Sequence, residues 1–295
     1  MTQDLLTYAT ATLPLIEKTL QEILSPLQKN PHPLLFKASS YSVLNPGKRI
    51  RPLLTLIAIK SLGGDEKKAL YPACAIEILH TYSLIHDDLP CMDDDDLRRG
   101  KPTLHKIYPE GQAVLTGDLL LTLAFEVLST SPNITAEQAL ELVKVLAKKS
   151  GGQGMILGQS LDLLGEDKSL SWKELSEIHH RKTADLISAC LEFAAILADK
   201  PSFRPILEQI GKDIGLSFQI IDDVLDLEGE EHILGKTPLS DLENKKSTST
   251  SLLGIAEAKA KAEELLASSL QKCKKIGLED SLLTELLPKL VYRNF

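Results

Sequence analysis

Apolar residues recur at intervals of three and four along most of this chain, as in Leu53, Leu56 and Ile57, and again in Ile76 and Leu79 with Ser83 and Leu84 a turn further on. That spacing lines one face of a helix. Alternating, strand-like runs are scarce. Helix starts are marked at Thr135-Ala136-Glu137-Gln138 and Ser171-Trp172-Lys173-Glu174, where a hydroxyl residue is followed three positions later by Glu or Gln in the pattern of a capping box. Breaks fall at Pro31 to Pro33, Asn45-Pro46-Gly47, Gly63-Gly64, Ser131-Pro132-Asn133 and Pro201. The expected class is all-α, a single large helical bundle over residues 1–295 with no internal repeat and no compositionally distinct second domain. A polar stretch at 228–251, carrying Gly229, Gly235 and Pro238, reads as a mobile loop between helical blocks, either a lid or a plain linker.

Composition narrows the partners. With 33 basic and 41 acidic residues the net charge is -8, which disfavours general affinity for nucleic acid or an anionic membrane, so any phosphate must be held by local groups. The four cysteines, Cys74, Cys91, Cys190 and Cys273, have neither metal-ligand nor disulfide spacing and read as reduced thiols. The charge-free stretches Leu5 to Ile16 and Ser150 to Leu161 fall short of the roughly 18 residues of a membrane span, and the start Met-Thr-Gln-Asp lacks a basic leader. A cytoplasmic protein without stable membrane insertion is the expectation.

Six of the ten positions from Asp87 to Asp96 are aspartate, directly after the apolar helix that carries Ile76, Leu79 and Leu84. Pro90 should end that helix, leaving Asp87 and Asp88 at its negative dipole end, an unfavourable placement by about 0.3 to 1 kcal/mol each. Repulsion adds roughly 4 kcal/mol for a pair at about 4 Å and an effective dielectric of 20. A divalent cation reverses the sign of both effects. A second cluster, Asp222-Asp223-Val224-Leu225-Asp226, lies inside the helical run that begins at Ile214. Asp222 and Asp226, four apart, project from one helix face. Magnesium takes oxygen ligands, keeps several waters and favours a few carboxylates plus substrate phosphates, so two facing clusters suit a diphosphate bridged by metal. The alternative for either cluster alone is a solvated acidic face; two clusters, each on an apolar helix, argue against it.

Basic residues accompany them. Arg98 and Arg99 follow the acidic run, and adjacent side chains that point apart can each serve a different diphosphate. Gly47-Lys48-Arg49-Ile50-Arg51-Pro52 opens a helix after a Pro-Gly break, where free N–H groups favour an anion. His80 lies seven residues before Asp87, about 20° from it around an ideal helix. Arg181-Lys182-Thr183, Gln219, Lys236 and Lys246 complete the polar set.

With these residues assembled, the chain closely resembles the trans-isoprenyl diphosphate synthases, nearest to the bacterial farnesyl diphosphate synthases and their geranylgeranyl relatives. The resemblance runs through Gly47 to Pro52, the six-spaced Asp87, Asp88 and Asp93, Arg98 to Thr103, Gly158-Gln159-Ser160-Leu161-Asp162, Lys182-Thr183 and Phe218 to Asp226. It implies about ten core helices around a central cavity, a homodimer, and three magnesium ions. By motif position Asp87, Asp93 and Asp222 hold the metal, with Asp88, Asp223 and Asp226 supporting. Lys48, Arg51, His80 and Arg99 bind isopentenyl diphosphate; Arg98, Lys182, Thr183, Gln219 and Lys236 bind the allylic diphosphate, with Arg98 and Lys182 also catalytic. Where the family often reads Gly-Lys-Ser-Thr-Tyr-Pro, this chain has Lys245-Lys246-Ser247-Thr248-Ser249-Thr250, which leaves the role of Lys246 open.

Product length is attributed in the family to bulk four or five positions before the first Asp, here Ser83 and Tyr82. Tyr82 points to a fifteen-carbon product, with twenty carbons the alternative. An ideal helix puts Ser83 at about 40° and Tyr82 at about 140° from Asp87, so the place of Tyr82 rests on the resemblance. A terpene cyclase shares the metal motif but needs no second diphosphate site, and a non-catalytic regulatory subunit would be free to lose a cluster. An allylic cation must be kept from water, which gives the 228–251 segment a role as a cover. Deleting Lys236 to Ser240 is expected to raise the yield of hydrolysed alcohol over condensed product, measured by product chromatography.

Overall fold

One helix in this bundle has no polar outer face. α10 (Asp185–Leu197) buries every one of its 13 residues except Ile196, as a helix apolar on all sides must when it forms the centre of a core. Its sequence, rich in Ala, Leu and Ile, packs against α3 (Ile50–Ser61), α4 (Glu66–Asp87), α7 (Ala136–Ser150) and α11 (Arg204–Glu228). The computed structural model describes residues 3–29, 33–228 and 247–292.

Around that centre, α1 (Gln3–Leu24) and α2 (Leu34–Val43) lie against α4, and α6 (Glu110–Thr130) runs alongside α4 over much of its length. The short α5 (Leu104–Ile107) leads into α6. α8 (Met155–Gly165) and α9 (Trp172–His179) close one flank, while α12 (Ser249–Leu253), α13 (Ile255–Lys275) and α14 (Leu282–Val291) return along α11. Two-residue strands β1 (Leu97–Arg98) and β2 (Lys101–Pro102) form an antiparallel hairpin. The class is therefore all-α, and a continuous set of buried apolar side chains runs from Leu5 to Val291.

Local sequence sets the boundaries. Thr135 and Ser171 both form the reciprocal capping boxes that their spacing predicts, with Gln138 and Glu174. α4 stops at Asp87, capped by Asp88 and followed by Pro90. The expected loop at 228–251 is too wide at both ends. Glu228 is still helical, and Thr248 caps α12 through a box with Ser251. Hydroxyl groups satisfy the first-turn amides there, so the chain re-enters a helix sooner than its polarity suggests. Residues 229–246, with Lys236 and Lys246, lie outside the described residues.

α6 is the one described helix long and apolar enough to cross a membrane, with a mean hydropathy of 1.5 and 44% of that stretch buried. Its buried residues Ala113, Gly117, Leu120, Ala124 and Leu128 account for much of that apolar content as core. The four cysteines are unpaired, three of them buried and Cys91 exposed.

Two glycines let α11 approach the centre. A Cβ on Gly211 would stand 2.4 Å from Cα of Ser188, and one on Gly215 would stand 2.3 Å from Cα of Ala184. Both contacts are with backbone, so α11 itself must retreat if either is filled. Gly215→Ala is expected to destabilise the protein by roughly 1 to 3 kcal/mol, although alanine favours a helix interior by about 1 kcal/mol. Gly111→Ala, at a helical position with open space around it, should be neutral or slightly stabilising. Urea titration of both variants reads the contrast.

Candidate active site

The two aspartate clusters sit at different kinds of place. Asp87 and Asp88 end α4, and the chain then folds back on itself: the Asp93 amide donates to the Asp87 carbonyl at 2.9 Å, and the Asp94 amide to the Leu89 carbonyl at 3.2 Å. That turn brings Asp93 beside Asp87 although six positions separate them. Asp222, Asp223 and Asp226 belong to the penultimate and last turns of α11, where Asp222 is half-buried and Asp223 and Asp226 are buried. Among the described residues no three acidic, His or Cys side chains form a closed metal cage. The donors present are nevertheless hard carboxylate oxygens, and magnesium completes its shell with water and substrate phosphate rather than with a protein cage. These residues fit that ion.

Asp88 is buried and held by Arg98. Nε of Arg98 donates to its Oδ1 at 2.5 Å, and Nη2 of Arg98 lies 3.1 Å from Oδ2 of Asp95. Burial pushes the Asp88 carboxyl up to about 7; Arg98 opposes this, while Asp95 and Asp87 add to it. Asp88 thus orders Arg98 at the edge of the cluster.

Arg98 and Arg99 part company because of the hairpin. Leu97 pairs with Pro102 and Arg98 with Lys101, leaving Arg99-Gly100 as a two-residue turn with φ values of 54° and 73°. Positive φ at both central residues is the turn whose twist matches such a hairpin, and Gly100 is the residue that favours it. Sequence reasoning missed this element, although Gly100 was its signal. Thr103 holds the far strand by donating to the Asp95 carbonyl at 2.7 Å.

Arg99 therefore reaches a separate group. Its guanidinium lies against Gly47, where a Cβ would stand 2.6 Å from Nη1. Desolvation, followed by the charges of Arg51, Arg99, Arg98 and Arg49, holds the His80 imidazole well below its ordinary range, so the ring is neutral. Arg51, His80 and Arg99 are thus brought together, while Lys48 is exposed in the loop just before α3. Arg49, between Lys48 and Arg51, is 1% exposed.

On the opposite flank α9 runs into a single π-helical turn, His180–Ala184, which carries Arg181, Lys182 and Thr183. Such turns cluster at functional sites because the widened backbone redirects side chains. No sequence signal had indicated it. Gly158 of α8 packs directly on it, since a Cβ there would fall 2.3 Å from the Lys182 amide nitrogen. Nζ of Lys182 lies 2.7 Å from Oδ2 of Asp162. Oγ1 of Thr183 donates to Oε1 of Gln219 at 3.0 Å, and Nε2 of Gln219 donates to Oδ1 of Asp223 at 3.3 Å.

Asp223 gathers these elements. Its Oδ2 accepts from the Ser249 amide at 2.7 Å and lies 3.5 Å from Nε2 of His179. Burial works to raise its pKa, but His179 and Ser249 overcome it and hold the carboxyl below its usual range. Asp223 thus links α9, the π turn, α11 and α12. His179, Asp162 and Ser249 had been given no role from sequence.

Tyr82 is buried, and its ring stands edge-on to His86 with centroids 5.7 Å apart. The His86 ring in turn occupies the space that a Cβ on Gly117 of α6 would need. Burial and the Asp87 charge push the Tyr82 phenol up to about 12, and its hydroxyl has no hydrogen-bond partner. Ser83, half-buried, donates to the His80 carbonyl at 2.9 Å.

Comparison with known proteins identifies the family. The family model described as polyprenyl synthetase matches residues 32–285. The chain is 46% identical over 248 residues to a farnesyl diphosphate synthase of Haemophilus influenzae, covering 83% of this chain and 84% of that one. Among solved structures, an FPP/GFPP synthase from Zymomonas mobilis is 36% identical and superimposes with a TM-score of 0.87, over 99% of this chain and 100% of that chain. A geranyltransferase from Helicobacter pylori, complexed with magnesium and isoprenyl diphosphate, is 35% identical with a TM-score of 0.82, over 99% and 97%. On the length of the family match and the identity to these relatives, the chain belongs to the polyprenyl synthetase family.

Proposed function

We propose that this protein condenses isopentenyl diphosphate head to tail with dimethylallyl and then geranyl diphosphate, giving farnesyl diphosphate. The observation that carries the reading is two separate groups of basic and polar side chains: Arg51, His80 and Arg99, preceded in the chain by exposed Lys48, on one side, and Lys182, Thr183 and Gln219 on the other. A chain that only cleaved or cyclised one diphosphate needs a single set. The farnesyl diphosphate synthase of Haemophilus influenzae supports the product.

In this reading Asp87, Asp93 and Asp222 hold three magnesium ions, with Asp88, Asp223 and Asp226 ordering them, as magnesium in the Helicobacter pylori geranyltransferase supports. Bound magnesium supplies positive charge to the departing diphosphate. Arg98, Lys182, Thr183, Gln219 and Lys236 hold that diphosphate, and Arg98 and Lys182 neutralise the charge that builds as the allylic C–O bond breaks and its electron pair leaves. Lys48, Arg51 and Arg99 hold isopentenyl diphosphate while the neutral His80 donates a hydrogen bond. The double bond of isopentenyl diphosphate attacks the allylic carbon, and the proton then lost passes to the released diphosphate. Tyr82 limits the growing chain.

The protein acts as a cytoplasmic homodimer in this proposal. Leu97, Ile107 and Leu115, on β1, α5 and α6, are exposed apolar side chains that a second copy could cover.

Incubation with magnesium, isopentenyl diphosphate and either allylic diphosphate should give a fifteen-carbon product, abolished by chelation. A protein that incorporates no isopentenyl unit overturns the reading. Tyr82→Ala should shift product toward twenty carbons or more; an unaltered distribution removes Tyr82 from length control.

A further inference from the structure

Among the described residues Arg49 is the largest fully buried side chain, yet it stands between two residues assigned to the isopentenyl diphosphate. Its backbone is left-handed, with φ at 47°, a conformation that an L side chain adopts only when its surroundings enforce it. The guanidinium supplies the enforcement. Nε donates to Oε1 of Glu17 at 2.6 Å, Nη1 to Oε1 of Glu77 at 3.1 Å, and Nη2 to the carbonyls of Val43 at 2.8 Å and Asn45 at 3.1 Å, with Oε2 of Glu17 at 3.3 Å. One side chain thus fastens α1, the end of α2, the 45–49 loop and α4 to the start of α3.

Glu77 is 2% exposed and lies one helical turn before His80. Its charge acts on Arg99 as well as on Arg49. Arg49, Arg51 and Arg99 would otherwise repel one another, and Glu77 is the carboxylate placed among them. Gly47, two residues before Arg49, is the surface on which Arg99 rests. The same staple therefore sets the loop that seats Arg99 and the helix start that presents Lys48 and Arg51.

We infer that the Arg49–Glu77 pair is a positioning device for isopentenyl diphosphate, which touches neither substrate and sets the affinity of that site independently of the allylic site. The inference rests on the condensation reading above. Two variants separate geometry from charge. Arg49→Lys keeps the charge but cannot reproduce the planar fork to two carboxylates and two carbonyls. Glu77→Gln removes a negative charge near the diphosphate, so charge alone predicts tighter binding, whereas loss of positioning predicts weaker binding.

The test measures KM for isopentenyl diphosphate and for geranyl diphosphate with magnesium, alongside thermal melting and isothermal titration of isopentenyl diphosphate, which needs no turnover. In both variants KM for isopentenyl diphosphate should rise tenfold or more, with KM for geranyl diphosphate within twofold and titration weakened in parallel. Equal rises in both KM values, no rise in either, or tighter binding in Glu77→Gln overturns the inference. If Arg49→Lys fails to fold, the near-isosteric Glu77→Gln decides alone. A wild-type protein that binds isopentenyl diphosphate but never condenses it defeats the proposed function, and the titrations still decide the role of the pair.

Discussion

Charge inside a helical bundle must be met by charge. This protein draws like-charged groups close together at two places, and at an effective dielectric of 20 each uncompensated contact costs about 4 kcal/mol at 4 Å. The structure answers with internal partners: Asp88 with Arg98, Lys182 with Asp162, and Arg49 with Glu77 and Glu17, while Asp223 accepts from the Ser249 amide. The same solution recurs away from the site, where buried Lys149 joins α7 to Asp185 and Glu192 of α10 and Glu208 of α11. Such pairs are weak contributors to net stability, because desolvation offsets most of their attraction. Their effect is geometric, since breaking one leaves a buried charge without compensation and each partner therefore fixes the other.

These pairs make the site a property of the whole bundle. Asp223 joins segments from α9 to α12, and Arg49 joins segments from α1 to α4, so the two flanks of the candidate site are braced by different helices. α10 lies between them and begins directly where the π turn ends. The close contacts of Gly211 with Ser188, Gly215 with Ala184 and Gly158 with Lys182 pack α11 and α8 directly on the backbone of α10 and the π turn.

Much of this was legible in the sequence, and what was missed has a common cause. Capping boxes at Thr135 and Ser171, the stop at Pro90 and the all-α class are local features, written in residues a few positions apart. The aspartates and basic residues were visible as unusual charge. Glu77 was overlooked because a single acidic residue inside Ala73 to Leu79 looks like noise until Arg49, 28 positions earlier, is seen against it. The hairpin at Arg99-Gly100 is too short for any periodicity. The π turn depends on how Gly158 and Gly215 crowd its backbone, which no local pattern records. Tyr82 shows the limit of an ideal wheel: an angle from Asp87 says nothing of the space left by Gly117, into which His86 fits beside the tyrosine ring.

The π turn at His180–Ala184 carries a further meaning. A π turn holds one residue more than the helix around it requires, so it is an insertion that the fold has absorbed without shifting register on either side. Removing that residue would restore a regular helix and rotate everything before it by about 100° relative to α10. Either Lys182 and Thr183 would leave the site, or His179 would leave Asp223. The extra residue is what allows the Thr183 hydroxyl on one side and the His179 imidazole on the other to address a single aspartate helix at once, while Lys182 turns to Asp162 of α8.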